Sequence, residues 1–186
     1  MIFEQFKHID PSLISDILND FQQLTERFSY PKGHLIHREE TICDTLYLIE
    51  QGIIRAYYYK DGKDITAHFA TEQGTITAID SFIQRKKSRY NIEALEDCTV
   101  IQISYASIQE LLVEKPHYEK YIRLFLEQIY IDLAERIEDL LFHSAKERYD
   151  KLMTNNRTLI QRVNLGHIAS FIGITQETLS RIRAQE

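Results

Sequence analysis

The stretch of the sequence that is most informative about the fold is Ile168-Ala-Ser-Phe-Ile-Gly-Ile-Thr-Gln-Glu-Thr-Leu-Ser-Arg-Ile-Arg183. Gly173 separates two runs with helical apolar spacing, and glycine readily adopts the positive φ that ends a helix before a turn. Ala169 stands where two crossing helices approach closely and a bulky side chain would separate them. Thr175 is a suitable cap for the second helix. The stretch therefore predicts a helix-turn-helix within Val163 to Ala184.

The second of these helices presents a polar face that is suited to DNA. Its N-terminal part would enter the major groove, where arginine pairs with guanine, glutamine with adenine, and glutamate with a cytosine amine. The predicted base-reading residues are Gln176, Glu177, Ser180 and Arg181. The predicted phosphate contacts are Ser170, Thr175, Thr178 and Arg183. The alternative is the ordinary polar face of a C-terminal helical hairpin.

Charge is distributed unevenly along the 186 residues. The formal net charge is −6, which is unusual for a DNA-binding protein because Lys and Arg supply most of the non-specific affinity for DNA. From Ser144 onward, seven Lys or Arg stand against four acidic residues, a local balance of +3 that leaves −9 for the rest of the chain. An acidic sensor body joined to a basic DNA-binding region would show this asymmetry, and so would an ordinary solvated surface.

The segment before these helices predicts a β-rich domain. A helical pattern over Pro11 to Phe28 gives way, after Pro31-Lys-Gly33, to short β-rich runs bounded by glycine. Asp61-Gly62 between two such runs indicates a tight hairpin, because both turn residues must accept positive φ. Many short strands at regular spacing indicate a barrel or a jelly roll. The predicted strands are His34–His37, Thr45–Glu50, Ile53–Lys60, Ile65–Ala70, Asn91–Ala94 and Thr99–Ser104.

A long helix is predicted after the strands. Helical spacing returns at Tyr105, and from His117 to His143 no Gly or Pro interrupts an apolar stripe on a helix about 40 Å long. Ser144 is a suitable cap for a further helix that extends to Thr154. A parallel copy of the long helix would cover the stripe in a homodimer, and packing against its own β domain is the alternative. The predicted dimer residues are Ile122, Phe125, Ile129, Leu133, Ile137 and Leu140.

From about Phe28 to its end, the chain resembles the Crp-Fnr family of transcription regulators. The C-terminal stretch quoted above is similar to that family's helix-turn-helix. Two further stretches resemble the opening strands of the family's cyclic-nucleotide-binding jelly roll, namely Tyr30-Pro-Lys-Gly-His-Leu-Ile-His37 and Asp44-Thr-Leu-Tyr-Leu-Ile-Glu-Gln-Gly-Ile-Ile-Arg55. Residues 116–143 correspond to its dimer helix.

The resemblance implies an α+β fold with three parts: a jelly-roll sensor domain over 1–115, a long dimerisation helix over 116–143 and a helix-turn-helix domain over 144–186. It implies a homodimer that reads a palindromic DNA operator with the helix over 175–184. It also implies an unknown small-molecule effector and RNA polymerase as further partners.

The sequence departs from the family at two places. Cyclic-nucleotide-binding members hold the phosphate with a Gly-Glu pair and an Arg followed by Ser or Thr, whereas Ala78 stands near the acidic position and Arg89 precedes Tyr90. We therefore expect no tight binding of cyclic AMP. The sequence also ends at Glu186, where the family often continues into a β-hairpin wing, so we expect DNA affinity to fall steeply with salt. The candidate effector pocket is Ala78, Ser88, Arg89 and Tyr90.

Histidines and tyrosines in the predicted strands give only weak indications of a metal or ligand site. Glu39 and Glu40 follow His34 and His37, but positions three apart on a strand face opposite sides, so we expect surface histidines and no metal site. Four tyrosines are interpreted either as lining of a ligand pocket or as ordinary packing. They are Tyr57, Tyr58, Tyr59 and Tyr90.

Other classes of protein find no support in the sequence. Cys43 and Cys98 are far apart and are expected to be small core residues rather than metal ligands. We identify no catalytic residue and no cofactor, and we predict that the protein is not an enzyme. The sequence has no apparent signal peptide or membrane span, so a cytoplasmic protein is expected. The remaining alternative is a ligand-binding or protein-interaction jelly-roll module with a vestigial DNA-binding head.

Overall fold

The structure, a computed structural model, describes residues 20 and 23–185. These residues divide into two units. The first unit contains the residues up to 58 together with 67–110, and the second contains 59–66 and 111–185. The first unit consists largely of strands, whereas the second is helical apart from one hairpin tip at 59–66. No helix in the described part of the chain is long and apolar enough to cross a membrane.

Two four-stranded sheets form the β structure, with strand orders β1-β8-β3-β6 and β2-β7-β4-β5. Apolar side chains from both sheets pack into one core, which includes Ile49, Ile54, Ile92 and Val100. Cys43 and Cys98 belong to this core, each about 2% exposed, as predicted. The strands are β1 (Thr25–Tyr30), β2 (Leu35–His37), β3 (Thr45–Gln51), β4 (Ile54–Lys60), β5 (Lys63–Ala70), β6 (Thr75–Ile76), β7 (Asn91–Ala94) and β8 (Cys98–Ser104).

The predicted hairpin joins β4 to β5 through a two-residue turn. Asp61 has a φ of 51° and Gly62 a φ of 73°, which are the positive values that the primed turns of hairpins require. The Asp-Gly pair thus fixes the register of the two longest neighbouring strands.

The N-terminal helix prediction is wrong at its end. Residues 25–28 belong to β1, which pairs with β8 in antiparallel register from Thr25 opposite Ile103 to Tyr30 opposite Cys98. This pairing with a strand about 70 residues away overrides the helical spacing of the local sequence. Residues 20, 23 and 24 are helical, as predicted, and the remainder of the predicted helix, 11–19 together with 21 and 22, lies outside the described residues.

The expectation of two surface histidines holds for His34 but is wrong for His37, which is 7% exposed. The register between β2 and β7 shifts between Leu35 and His37, and such an irregularity breaks the strict alternation of side chains along a strand. Burial lowers the pKa of His37, although the charges of Asp80 and Asp44 oppose this effect.

Helices make up most of the second unit, and the predicted long helix is its longest element. From residue 79 onward the helices are α1 (Ile79–Gln84), which lies in the first unit, α2 (Tyr105–Glu114), whose residues up to 110 belong to the first unit, α3 (Glu119–Phe142), α4 (Ala145–Asn155), α5 (Arg157–Arg162), α6 (Leu165–Phe171) and α7 (Gln176–Arg183). A single 3-10 turn, Pro116–Tyr118, precedes α3. The helices α1 and α5 and the strand β6 were not among the elements predicted from the sequence.

Candidate nucleic-acid interface

Helices α6 and α7 form the predicted two-helix motif, and the geometry of the turn between them is well defined. Gly173 has a φ of 71°. The amide of Gly173 donates to the carbonyl oxygen of Ser170 (3.1 Å), and the amide of Ile174 donates to that of Ala169 (2.9 Å). This pair of bonds is a Schellman ending, which satisfies carbonyls at the end of α6. The turn then delivers the chain directly into α7.

Side-chain caps fix where both helices begin. The Asn164 side chain accepts from the amide of Gly166 (2.7 Å) at the start of α6. The Thr175 hydroxyl accepts from the amide of Thr178 (3.2 Å) at the start of α7. Because each cap satisfies an amide that has no partner within its helix, the first turns are held in place.

A small apolar core holds the two helices together. Ala169 is 1% exposed, which agrees with the prediction that only a small side chain fits where the helices cross. The other buried side chains of α6, the turn and α7 are Ile168, Ile172, Leu179 and Ile182. The opposite face of α7 remains exposed to solvent.

Two arginines from other helices anchor the end of α6. Arg136 of α3 donates to the carbonyl oxygen of Phe171 (2.9 Å) and lies over its ring. Arg148 of α4 donates to the carbonyl oxygen of Ile172 (2.8 Å). Cations near the C-terminus of a helix also interact favourably with its dipole. The orientation of the two-helix motif within this unit is therefore coupled to α3 and α4.

The outward face of α7 carries the side chains selected as base readers. Gln176, Glu177, Ser180 and Arg181 are all exposed. The pKa of Glu177 is lowered, because its own backbone amide and the Thr175 hydroxyl hydrogen-bond to the carboxylate and Arg181 lies nearby. Glu177 is thus an ionised acceptor, as a contact to a cytosine amine requires.

The residues predicted to contact phosphate differ in their exposure and in their hydrogen bonds. Thr175 and Arg183 are exposed, and Thr178 is half-buried. The hydroxyl of Ser170 is already engaged by the hairpin tip of the same unit, because it accepts from the amide of Thr66 (2.9 Å) and donates to the carbonyl oxygen of Asp64 (3.2 Å). No local sequence pattern indicates this contact, because the residues are more than 100 positions apart.

In the first unit, the candidate effector pocket is organised around an aspartate that was not among the predicted site residues. Asp80, in the first turn of α1, accepts from the hydroxyl of Ser88 (2.9 Å) and from the amide of Arg89 (3.2 Å). Ser88 is 1% exposed and Ala78 is fully buried. Ser88 and Ala78 thus lie within the packed interior. The Ser88 hydroxyl and the Arg89 amide already donate to the Asp80 carboxylate. Asp80 was visible only as the acidic residue two positions after Ala78.

The remaining members of that candidate pocket contact each other. Arg89 donates to the phenol oxygen of Tyr90 (2.8 Å) and lies over the rings of Tyr58 and Tyr90. Tyr58 meets Tyr90 edge to face, Tyr57 is buried beneath the guanidinium of Arg55, and Tyr59 is 57% exposed. Tyr57, Tyr58 and Tyr90 therefore make the packing and cation–π contacts that aromatic side chains commonly make.

Comparison with known proteins supports the same architecture. Residues 27–115 match the family model "Cyclic nucleotide-binding domain". Among curated proteins, none matches the sequence. Solved structures do match: FixK2 from Bradyrhizobium japonicum is 20% identical, with a TM-score of 0.74 over 87% of this chain and 83% of that one.

Two further structures have similar folds. The c-di-GMP-responsive global regulator CLP from Xanthomonas campestris is 16% identical, with a TM-score of 0.72 over 92% of this chain and 90% of that one. A putative transcriptional regulator of the Crp/Fnr family from Eubacterium rectale is 18% identical, with a TM-score of 0.69 over 99% of this chain and 86% of that one. Residues 27–115 thus match the model of the cyclic nucleotide-binding domain family, and the chain has a fold similar to those of FixK2 and of a putative Crp/Fnr regulator.

Proposed function

We propose that this protein is a cytoplasmic, homodimeric transcription regulator that reads a palindromic DNA operator with α7. The observation that carries the proposal is the exposed polar face of α7 on a capped, tightly turned two-helix motif. The proteins of similar fold include the global regulator CLP and a putative transcriptional regulator. Nothing in this arrangement resembles a nucleophile with its activating base, so a binding function is favoured over an enzymatic one.

The dimer is proposed from the surface of α3. None of its 24 residues is buried within the chain, and several large apolar side chains are about half exposed, among them Leu126, Leu133 and Ile137. Exposed apolar side chains repeated along one helix are typical of a helix that packs against a partner. A second copy of α3 would place two reading helices on one duplex.

We also propose that cyclic AMP does not control this regulator. A bound cyclic phosphate needs free donors, whereas Asp80 already accepts from Ser88 and from the amide of Arg89. A carboxylate at this position would also repel an anionic ligand. If an effector acts on the β domain, it is a different ligand, and RNA polymerase remains the proposed partner for activation.

The test begins with selection of bound fragments from random duplex DNA. A palindromic sequence with half-sites about one helical turn apart is expected. Replacing Arg181 by Ala should then reduce discrimination at one base pair of each half-site by about 1–3 kcal/mol per contact. Absence of binding to any duplex at low salt, measured by fluorescence anisotropy, would instead favour the jelly-roll module with a vestigial DNA-binding head.

A further inference from the structure

We propose that a cavity on the flank of α7 binds a backbone phosphate of DNA through Arg157 and Arg183. The inference rests on the proposed function and adds Arg157 on α5, a helix that was not predicted. The cavity has a volume of about 480 Å³ and lies among α4, α5 and α7. Arg157 begins α5, Arg183 ends α7, and Gln161 lines the same space.

The charge of this cavity is that of an anion site. No Asp or Glu lines it among the described residues. Within residues 20 and 23–185, neither Arg157 nor Arg183 has a hydrogen bond or an ion pair, and both side chains are exposed. Because arginine stays protonated at any ordinary pH, two positive charges line one space without a balancing carboxylate. A phosphate would satisfy both through the paired hydrogen bonds that guanidinium groups form.

The walls of the cavity are firmly packed. Tyr149 of α4 is 1% exposed and Val163, just after α5, is 7% exposed. The short helix α5 is held by Leu159, which is 2% exposed. The backbone that carries Arg157 is therefore fixed relative to α7, and a phosphate bound between the two arginines would have a defined position beside the reading helix.

The position of the cavity beside α7 indicates which kind of phosphate would bind there. Arg183 lies two residues after Arg181 on α7, on the flank between the exposed reading face and the buried side of Leu179. A helix that lies in the major groove has phosphate backbones along its flanks, and contacts to them set the register of the protein on the duplex. We therefore assign the site to a DNA phosphodiester rather than to a free phosphorylated ligand.

The experiment uses the full chain and the selected operator. The variants Arg157→Gln and Arg183→Gln each remove one charge from the cavity. Each should lower affinity for operator and for random duplex by the same factor, about tenfold per half-site at about 0.1 M salt, and reduce the salt slope by about one per half-site. Ethylation interference should show that both variants lose dependence on the same phosphate, because one cavity holds it.

Arg162→Gln is the matched control, because Arg162 belongs to the same short helix and is exposed but does not line the cavity. Thermal unfolding checks that all three variants fold. Equal losses in Arg157→Gln and Arg162→Gln would show that only net charge matters and would overturn the site. Interference at two different phosphates for Arg157→Gln and Arg183→Gln would overturn it as well.

Two further outcomes distinguish failure of this inference from failure of the proposed DNA-binding function on which it rests. If the wild-type protein selects a palindrome but Arg157→Gln binds it equally well, the cavity assignment fails and the regulator stands. If the wild-type protein binds no duplex at low salt, both fail. A titration with inorganic phosphate alone, followed through the arginine Nε–H signals, tests for a free anion. Saturation of Arg157 and Arg183 at micromolar phosphate would overturn the assignment to DNA.

Discussion

Gly173 meets two constraints at one residue. Its φ of 71° lies in the left-handed region, and an added Cβ would come within 3.1 Å of Cδ2 of Leu140 on α3. The first constraint follows from the turn itself, which the sequence shows. The second depends on how α3 packs against the turn, and no local pattern indicates it. Gly173 thereby couples the ending of α6 to the last turn of the long helix.

Replacing Gly173 by Ala should reduce the free energy of unfolding by about 1–2 kcal/mol, since a residue with a Cβ is strained in the left-handed region. Chemical denaturation measures the change. Gly62→Ala is the matched control, because Gly62 has a similar φ of 73° but no atom within 4 Å of an added Cβ. The loss at Gly173 should exceed that at Gly62. Equal losses would show that the contact with Leu140 has no energetic effect.

Asp80 gives a second prediction at this scale. Isothermal titration calorimetry with cyclic AMP should give no binding heat for the wild-type protein. The reason is that the Asp80 carboxylate already accepts hydrogen bonds from the Ser88 hydroxyl and the Arg89 amide. Asp80→Ala should free these two donors, and any affinity for inorganic phosphate or cyclic AMP should be higher in this variant than in the wild-type. Binding of cyclic AMP or cyclic GMP to the wild-type at low micromolar concentration would contradict the prediction.

Single elements differ in how far the local sequence determines them. The Asp61-Gly62 hairpin and the Ser144 cap follow from the residues themselves, and the structure contains both: Ser144 and Glu147 form a reciprocal capping box at the start of α4. In contrast, β6 has two residues and α5 has six, which is too short for a periodic pattern. Packing stabilises them instead, as the buried Leu159 shows for α5.

At the α3–α4 junction, Asp139 makes stability depend on pH. Its carboxylate accepts from Nζ of Lys151 (2.8 Å) and contacts Nδ1 of His143 (2.8 Å). Burial acts to raise the pKa of Asp139, but these hydrogen bonds and the nearby positive charges outweigh burial and lower it. A carboxyl whose pKa is depressed in the folded state stabilises the fold above its unfolded pKa, about 3.9, and loses this contribution as pH falls through the lower folded value.

The free energy of unfolding should therefore decrease as the pH is lowered from about 5 to about 3. Asp139→Asn keeps the shape of the side chain but removes its charge, so its unfolding free energy should change less over this range. Asp150→Asn is a control in the neighbouring helix, since the Asp150 side chain forms an exposed pair with Lys146 and such pairs contribute little. An identical pH profile for wild-type and Asp139→Asn would contradict this role.

The hairpin tip offers a further prediction about elements. Ser170→Ala removes the acceptor of the Thr66 amide and the donor to Asp64. The free energy of unfolding should fall by about 1–3 kcal/mol, because a partly buried amide loses its partner. Thr158→Ala, at an exposed position of α5, should change it little. If Ser170→Ala weakens DNA binding without loss of stability, Ser170 contacts phosphate as first predicted and the hairpin contact is dispensable.

Along the chain, most of the longer strands and helices could be predicted in their order, but the short elements, β1 and the contacts across long distances could not. The alternation of glycine and short β-rich runs located six strands, and apolar spacing located α3. The strand β1 was mistaken for the end of a helix because its pairing with β8 is not encoded locally. The exposed face of α7 could be predicted from helical spacing, and its role in base reading stays a prediction. The contacts of Asp80 and the cavity position of Arg157 became visible only when separate segments came together in the fold.

The proposed dimer seam and the proposed DNA-binding motif are linked through α3, because Arg136 of α3 contacts the end of α6. Leu133 is 53% exposed on the predicted seam, and Ile131 is 49% exposed about 200° around the same helix. Leu133→Glu should place a charge in the seam and yield a monomer by analytical ultracentrifugation, whereas Ile131→Glu should remain a dimer. The monomer keeps α7 intact, so its affinity for a single half-site should equal that of the wild-type.

On the full palindrome, however, the Leu133→Glu monomer should lose the avidity of two linked reading helices, which amounts to about 10²-fold or more. This difference between half-site and palindrome isolates dimerisation from DNA reading. If Leu133→Glu and Ile131→Glu have the same oligomeric state and bind the palindrome equally well, α3 is not the dimer seam. The apolar side chains exposed along α3 would then need a different partner, and the two reading helices would have to be held on one duplex by another surface.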